Sequence, residues 1–522
     1  MAKQGVTLVV QDGGLGQSPP GLGNVEAVIG ICSSATLPAF TPIQTASPST
    51  ITSQAGYGPG PEMSCNIIAA TGNPVVFIPV PTATPGSNTV VAKGSSNTGT
   101  SVMTLAGTPQ DSYYGEVSVA IACTVGVTAG QVNISLDAGR TTFLTVNIPA
   151  NYVAGTALGV TSGGVTTGLT VAFGAGSLGL GDTYEWISTE GLWTDASVAS
   201  AIAILQTWNQ SNPEDVIVVG GSSLRSAGAG TVGVTAGDVS AFDGYMTSLF
   251  NKARYNRLLC SVGDALWGGV SSESESQWMN SIVTAHANDS SLRVGVTAGH
   301  YNCISAISQT QFRRPLLWFA AARDSAVAIQ VDLGRVKDGA LADLVLPTTP
   351  DTGFMNSSQP FIYHDETQNP GLDTARFMAA WSIARKPGLF IMNPNLMAPP
   401  GSDFNWLQHG HIIDAASLIV YDFFVEELSD NVLVYPADTP LAGQLLQTVS
   451  ADLVGRCNAQ LFNQLTAPGA ASSTTVTIPG GQNLLSTATL NVNVNIVPPG
   501  YLKKIVVAIQ FQNPAVVQVT TP

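Results

Sequence analysis

The spacing of apolar residues changes along the chain, and this change limits the possible folds more than any other feature. Residues 82–190 are dominated by Thr, Ser, Gly and Val and show the period of two that is typical of strands. The stretches on either side alternate between helical and strand patterns, as α/β sheets with crossover helices do. The sequence therefore predicts an α+β multidomain protein, in which an all-β domain, a sandwich or a barrel, is inserted into an α/β sandwich-type core.

A C-terminal β/helix domain carrying extended terminal strands is predicted to follow the core. The length of 522 residues suggests roughly three units at about 150 residues per domain. In chain order, the predicted parts are an N-terminal arm and linker (1–24), the first part of the core domain (25–81), the inserted all-β domain (82–190), the α/β core domain (191–370), the C-terminal domain (371–500) and a C-terminal arm strand (501–522).

Short apolar runs predict the buried strands of the core. These runs are 25–32, 73–80, 215–221, 257–262, 292–299, 315–321 and 326–334. Between them, helical spacing predicts a helix capped by Asp195, a second near 238–255 and a third near 272–287. Ser272 and Glu275 have the spacing of a capping box for the third helix.

The C-terminal domain contains three further helical patterns. One carries Phe377, Ala380, Trp381 and Ala384 and stops at Pro387-Gly388, and another starts at Thr439-Pro440 and runs to about residue 466. The third is YDFFVEELSD (421–430), whose acidic residues are predicted to lie on the solvated side of an amphipathic helix rather than to form a catalytic pair.

Strand patterns near the two termini have no obvious partner in sequence. Chain termini are usually frayed and polar unless something holds them, so we expect each strand to pair either within its own molecule or with a second one. Gly- and Pro-rich residues 11–24 are predicted to be a flexible linker behind the first strand. The apolar residues of these strands are the positions predicted to make this contact: Val6, Leu8, Val10, Leu490, Val492, Val494, Ile505, Val507, Ile509 and Phe511.

The composition argues against several kinds of partner. Only 10% of the residues are charged and the net charge is −15, which disfavours direct binding to nucleic acid or to an anionic membrane. No apolar run is long enough to span a bilayer, and the first residues lack the features of a signal peptide, so we expect a cytoplasmic protein. The six scattered cysteines are predicted to be buried free thiols.

The motif search yields no predicted catalytic, cofactor-binding or metal-binding residue. The G-x-G-x-x-G match at 174–179 lies in the strand-rich region without a following helix, and the loop 220–230 lacks the lysine of a phosphate-binding loop. His409 and His411 are placed on a strand, where they would share a face, but no third strong ligand is near them in sequence. His300 and Cys303 lack the surroundings of a catalytic dyad.

The order of segments resembles the contractile tail sheath proteins of bacteriophages and related injection systems. The likeness rests on VEAVIGIC, GYGPGPE and NPVVFIPV, on the inserted β domain and α/β core, and on a late segment from GLFIMNPN through NWLQHGHIIDAASLIVYDFFVEELSD. The helix at 439–466 and the closing YLKKIVVAIQFQNP complete it. Where that family commonly has paired arginines, this chain has His409-Gly-His411.

The resemblance implies a structural virion protein that is not an enzyme and needs no cofactor. Such subunits form hexameric rings stacked helically around a tail tube and contract to drive the tube through the host envelope. Terminal strands exchanged between neighbours link the subunits, and 371–500 would be the inner sheath domain. The implied partners are further copies of the chain, a tail tube protein, and baseplate and tail terminator proteins. The implied location is the virion, after assembly in the host cytoplasm.

Two alternatives remain on the sequence alone. One is another virion structural protein, either a capsid or a tube protein, although an α/β core is less expected there. The other is an α/β enzyme with a carbohydrate-binding β insertion, which would require a convergent set of catalytic groups.

Overall fold

The computed structural model describes residues 25–208, 210–225, 232–267, 272–347 and 353–506. The predictions for Val6, Leu8, Val10, Val507, Ile509 and Phe511 lie outside these residues, as does the linker at 11–24. Within them, the structure is of mixed α and β type, as the sequence predicts. The domain boundaries stay predictions.

The elements follow one another in four groups. Residues 25–81 form β1 (Glu26–Gly30), β2 (Ile43–Thr45), α1 (Pro48–Ala55), α2 (Pro59–Thr71) and β3 (Val75–Pro79). The second group is β4 (Ser87–Asn88), β5 (Ala92–Lys93), β6 (Met103–Gly107), β7 (Tyr113–Ile121), β8 (Cys123–Thr124), β9 (Gly130–Ser135), β10 (Leu144–Ile148), β11 (Leu158–Ser162), β12 (Val165–Phe173), β13 (Ser177–Leu178) and β14 (Thr183–Thr189).

The third group alternates helices and strands. It comprises α3 (Asp195–Thr207), β15 (Asp215–Val218), β16 (Ser223–Leu224), β17 (Val232–Gly233), α4 (Ala236–Phe250), β18 (Arg257–Ser261), α5 (Glu275–Ala285), β19 (Val294–Thr297), β20 (His300–Ile304), β21 (Gln311–Pro315), α6 (Leu316–Asp324) and β22 (Leu344–Val345). The last group is β23 (Ala380–Ser382), β24 (Leu389–Ile391), α7 (Leu407–Glu426), α8 (Gln447–Leu461), β25 (Ser473–Thr477), α9 (Leu484–Thr487) and β26 (Asn493–Val497).

A six-stranded sheet forms the centre, in the order β19-β18-β15-β1-β3-β2. Its pairs are parallel except β2 with β3. Successive side chains of a strand point to opposite faces: Ala27 and Ile29 pack towards α3, α4 and α5, whereas Val28 packs towards α2 and α6. Both faces are therefore covered by helices, which explains why the strands read as continuous apolar runs.

The three helices that cover the first face, α3, α4 and α5, each begin with a side-chain cap. Thr194, not Asp195, caps α3 and forms a capping box with Ser197. The box of α5 joins Ser274 to Gln277, so the predicted pairing of Ser272 with Glu275 is wrong by two residues. Ser and Thr recur at nearby positions here, so the spacing alone could not choose among them.

The strand-only region forms its own sheets and its own core. One sheet runs β10-β9-β7-β14-β4, with β5 also on β14, and a second runs β11-β12-β6. Their inward side chains make a separate hydrophobic cluster. The region leaves and rejoins the rest of the chain at adjacent points, because the Ala83 amide donates to the Leu192 carbonyl at 2.7 Å.

Two neighbouring arginines of β21 join the strand-only region to the central sheet. Arg313 Nε lies 2.5 Å from Asp264 Oδ2, and the Tyr114 hydroxyl donates to the same oxygen at 2.7 Å. Arg314 donates from Nε to Glu62 at 2.8 Å and from an Nη to Asp111 at 3.0 Å. Tyr114 and Asp111 belong to the strand-only region, so buried polar contacts hold it in place.

Three predicted elements are wrong. Residues 315–321 form most of the helix α6 rather than a strand, because a short run that is buried all round has no period to distinguish the two. Residues 326–334 contain no strand. Instead of the predicted helix through Phe377 and Ala384, the chain forms the strand pair β23–β24. Arg376 precedes this pair and Arg385 lies in the turn between its strands, with positive φ values of 73° and 66°.

The C-terminal group packs a small sheet on two helices. Helix α8 starts at Gln447, not at Thr439, because residues before it turn back through a bridge between Val434 and Leu445. A π-helical turn, Phe462–Thr466, continues it. The amphipathic helix predicted at 421–430 is confirmed as far as Glu426, as the last turns of α7.

Two further findings concern the helices and the cysteines. No helix among the described residues combines the length and apolar character needed to cross a membrane. The six cysteines are free thiols, and all but the half-buried Cys32 are buried, as predicted.

Replacing Arg313 by Ala should lower the free energy of unfolding by about 3–5 kcal/mol, because Asp264 would stay buried without its cationic partner. The matched control is Arg335→Ala, whose side chain is 48% exposed in its pair with Asp338; an exposed pair contributes only about 0–1 kcal/mol. Urea unfolding of both variants measures the difference, and equal losses would contradict this assignment.

Replacing residues 86–189 by a short Gly/Ser bridge should leave a soluble, cooperatively unfolding protein. The bridge spans a short gap between Ala83 and Leu192, and Arg313 and Arg314 keep Asp264 and Glu62 as partners after the excision. Circular dichroism melting and gel filtration check this expectation. An insoluble product would show that the two parts cannot fold separately.

Candidate assembly interface

Two cavities lie at the carboxyl ends of the parallel strands, where α/β enzymes bind ligands. One, of about 50 Å³, is lined by Asp264, His300, Arg313 and Arg314 among others. The other, of about 480 Å³, lies beside the start of α4 and along α5. Burial alone would raise the pKa of Asp264, but Arg313 and His300 outweigh it and lower it to about 2. These charged groups neutralise one another, so the arrangement stabilises the fold.

The second chemical candidate, His300 with Cys303, does not form a reactive pair. Three positions apart on β20, the two side chains leave the strand on opposite faces. Burial raises the pKa of the Cys303 thiol well above its usual range, which disfavours the reactive thiolate. Burial also lowers the pKa of His300 to about 4.

The histidine pair lies on helix α7 rather than on a strand. His411 is buried and contacts Glu214 and Asp215, whereas His409 is partly exposed and stacks on Tyr501. Burial alone would lower the pKa of His411, but Asp215 and Glu214 outweigh it and raise it to about 9. Gly410 stands between them because a Cβ there would come within 2.7 Å of Arg257 Nε.

The C-terminal hairpin β25–β26 has an open edge. It is a two-stranded sheet, and within the described residues β26 pairs only with β25. Val476 lies opposite Val494 and donates its amide away from β26, to Asn458 Oδ1 at 2.9 Å. By the alternation of an antiparallel ladder, the backbone groups of Val494 and Ile496 then point to the outer edge of β26. This edge can accept another strand.

One face of the hairpin is apolar and packs on α7 and α8. Val476 is buried there, with Val494 and Ile496 partly buried beside it. Leu490 and Val492, which precede β26, pack on the same cluster. The other face carries the exposed asparagines 493 and 495. The sequence alternation was therefore a correct guide to the two faces.

The segment after the hairpin is fixed at its start and leaves the domain with exposed apolar side chains. The Tyr501 hydroxyl donates to the Gln330 carbonyl at 2.7 Å, and its ring packs edge-on against Trp406 at 5.9 Å. Lys503 pairs with Asp332 and lies 5.2 Å over the Trp406 ring. Beyond this anchor, the exposed side chains are Leu502 (86%), Ile505 (71%) and Val506 (82%).

Sequence reasoning placed Ile505 in a strand, whereas residues 501–506 have no regular secondary structure in the described part of the chain. It also missed the anchor that precedes Ile505. Tyr501 and Trp406 are far apart in sequence, and nothing in their local spacing indicates contact. The signal that could have found them is compositional, since aromatic residues with a polar tip are enriched at surfaces that are partly apolar and partly wet.

No family model matches the chain, and neither does any curated protein. Solved structures do match. The sheath tail protein from Desulfitobacterium hafniense is 9% identical with a TM-score of 0.43, covering 95% of this chain and 100% of that one. The sheath tail protein from Listeria innocua is 9% identical with a TM-score of 0.42, covering 92% and 96%.

A third match is the helical sheath of the anti-feeding prophage in its contracted state. It is 9% identical with a TM-score of 0.44, and the match covers 98% of this chain and 99% of that one. These structures are sheath proteins, the class that the sequence resembles. With identities this low, the function of the chain is argued from its own residues.

Replacing Tyr501 by Ala should loosen the segment after the hairpin. Loss of the ring contacts removes about 0.5–1.5 kcal/mol, so trypsin should cleave after Lys503 or Lys504 roughly two- to tenfold faster. Tyr501→Phe is the matched control, since it keeps the ring and loses only the hydroxyl bond to Gln330. Equal cleavage rates in the Ala variant and the unmodified chain would show that Tyr501 is not the anchor.

Proposed function

We propose that this chain is a tail sheath subunit, which polymerises around a tail tube and contracts to drive the tube through a host envelope. It acts through contacts between subunits and carries out no catalysis. Its partners are other copies in hexameric helical rings, the tube protein, and the baseplate and tail terminator proteins. Its location is the virion or a comparable particle, after assembly in the host cytoplasm.

One observation carries the proposal: an open strand edge and an exposed apolar segment occur in the same domain but do not satisfy each other. The outer edge of β26 presents backbone groups without a strand partner in the described residues. Ile505 and Val506 are exposed a few residues later. A strand supplied by one copy to the edge of the next would satisfy both, which is β-augmentation between chains.

Strand donation of this kind generates polymers. Donor and acceptor are different surfaces of the same chain, so the contact is heterologous, and it builds an open helix when the rotation between copies does not close a ring. Repetition of one such contact produces a helical tube. The N-terminal strand at Val6, Leu8 and Val10 would act in the same way, with residues 11–24 as its linker.

The remaining parts fit this role. The crevice at the carboxyl ends of the sheet holds paired charges and a small cavity, so the energy of contraction would come from new subunit contacts. The insertion, which leaves and rejoins at Ala83 and Leu192, would sit on the outside of the assembly. The inner surface would be formed by 371–500.

Electron microscopy of the purified protein in negative stain tests the proposal directly. We expect hollow cylinders built of stacked rings. Closed icosahedral shells would indicate a capsid protein, and monomers with hydrolase activity on polysaccharides would indicate the enzyme alternative.

Deleting residues 502–522 should leave a folded subunit that no longer assembles. Tyr501 and the hairpin remain in place, while each subunit contact loses a ladder in which every backbone hydrogen bond contributes a net of about 0.5–1.5 kcal/mol. Circular dichroism melting and sedimentation velocity measure the two properties separately. A truncated chain that unfolds as a monomer yet stays assembled would refute strand donation.

Substitutions on the two opposite faces of the predicted terminal strand refine this prediction. Val507→Asp should block assembly, because it would place a charge among side chains buried against the acceptor. Gln510→Asp, on the opposite face of the strand, is the matched control and should assemble normally. The reverse pattern would mean that the strand binds with its other face inward.

A further inference from the structure

A buried polar cluster lies at the amino ends of the central strands. The contacts of Arg313 and Arg314 lie at the other end, where the carboxyl ends of these strands meet. Asp215 opens β15, Asp324 ends α6 and His411 lies near the start of α7. One ligand atom from each of these three side chains lies within 4.8 Å of the other two. Their exposures are 0%, 4% and 4%, so the cluster is shielded from water.

The carboxyl groups of Asp215 and Asp324 lie close enough to share a proton, and no other donor among the described residues lies between their Oδ2 atoms. Oδ2 of Asp215 and Oδ2 of Asp324 are buried and receive no hydrogen bond from the described residues. Two carboxylates at this distance in a buried site cannot both stay ionised without a proton or a cation between them. The space between the two carboxyl groups therefore holds either a shared proton or a cation.

His411 is oriented as metal-binding histidines are. Its Nε2 lies 3.0 Å from Asp215 Oδ1, and its Nδ1 lies 3.2 Å from Glu214 Oε1. A histidine that binds a metal through one nitrogen usually donates its other N–H to a carboxylate, which fixes the ring. Glu214 occupies that position, with Nε2 directed to the two aspartates.

Other charges around the cluster leave it acidic. Glu26 lies next to it, accepts the Asp215 amide through Oε2 and has no hydrogen-bond partner for its buried Oε1 among the described residues. Arg257 is the nearest guanidinium, but its Nε is paired with Asp414 Oδ2 at 2.6 Å. A divalent cation would neutralise the excess.

We propose that Asp215, Asp324 and His411 bind a divalent transition-metal ion, with Glu214 as the positioning residue. One imidazole nitrogen and carboxylate oxygens suit Zn²⁺ or Mn²⁺. Bonds of about 2.0–2.2 Å place ligand atoms roughly 3.3–3.5 Å apart, so the three ligand atoms, which lie within 4.8 Å of one another, would draw together around the ion. Nε2 would give up its proton on binding.

The ion would have a structural role. Asp215 comes from the central sheet, Asp324 from the helix that covers one face of it, and His411 from the helix that carries the C-terminal hairpin. The metal would therefore pin α7 to the sheet. This inference does not depend on the proposed function.

The experiment starts from the full chain after dialysis against EDTA. Titration calorimetry with Zn²⁺ and with Mn²⁺ should show one site per chain for at least one ion, and that ion should raise the melting temperature. His411→Ala should lose both effects. His409→Ala should keep them, because His409 lies two residues earlier and its ring contacts Tyr501. Asp338→Asn serves as a control for removing an acidic residue elsewhere.

Glu214→Gln separates a positioning role from a merely structural one. It leaves all three ligands in place and should weaken metal affinity about 10- to 100-fold. This variant and the unmodified chain keep the test decisive if His411→Ala fails to fold. The proposal is overturned if neither ion binds or shifts the melting temperature, which would mean that the aspartates share a proton instead.

Discussion

The guanidinium groups of Arg313 and Arg314 fix the relative positions of the main parts of the molecule. As neighbours on β21 they point to opposite faces, and they take carboxylates from the loop after β18, from α2 and from the insertion. Removing such charges from water costs several kcal/mol per ion unless each finds its partner. The central sheet, the helix layer and the insertion are therefore positioned by the same requirement.

Charged groups are arranged differently at the two ends of the parallel sheet. The carboxyl ends, where α/β folds usually bind ligands, hold arginine–carboxylate pairs. The amino ends hold Glu26, Asp215 and Glu214 around one histidine. The amino ends are the ones that meet the C-terminal domain, through His411 of α7.

Elements whose signal lies in neighbouring residues could be predicted from the sequence, whereas contacts between residues far apart in the chain could not. The runs at 25–32 and 73–80 were identified as buried strands because both faces of the sheet are covered, which leaves an unbroken apolar sequence. The same signal failed at 315–321, where a helix is buried all round. The cluster around His411 was beyond reach, since its contact with Asp215 joins positions 196 residues apart and no spacing rule covers such a distance. The terminal strand, predicted from its period of two, stays a prediction, and the anchor at Tyr501 that precedes it required tertiary structure.

The anchor at Tyr501 also sets a length scale. An extended chain advances roughly 3.3 Å per residue, so the stretch from Leu502 to Phe511 reaches about 33 Å from the point where Tyr501 meets Trp406. In the proposed assembly, an acceptor edge would have to lie within that radius in each arrangement of the subunits. Neighbouring subunits could then rotate and slide past one another only as far as ten residues of backbone allow.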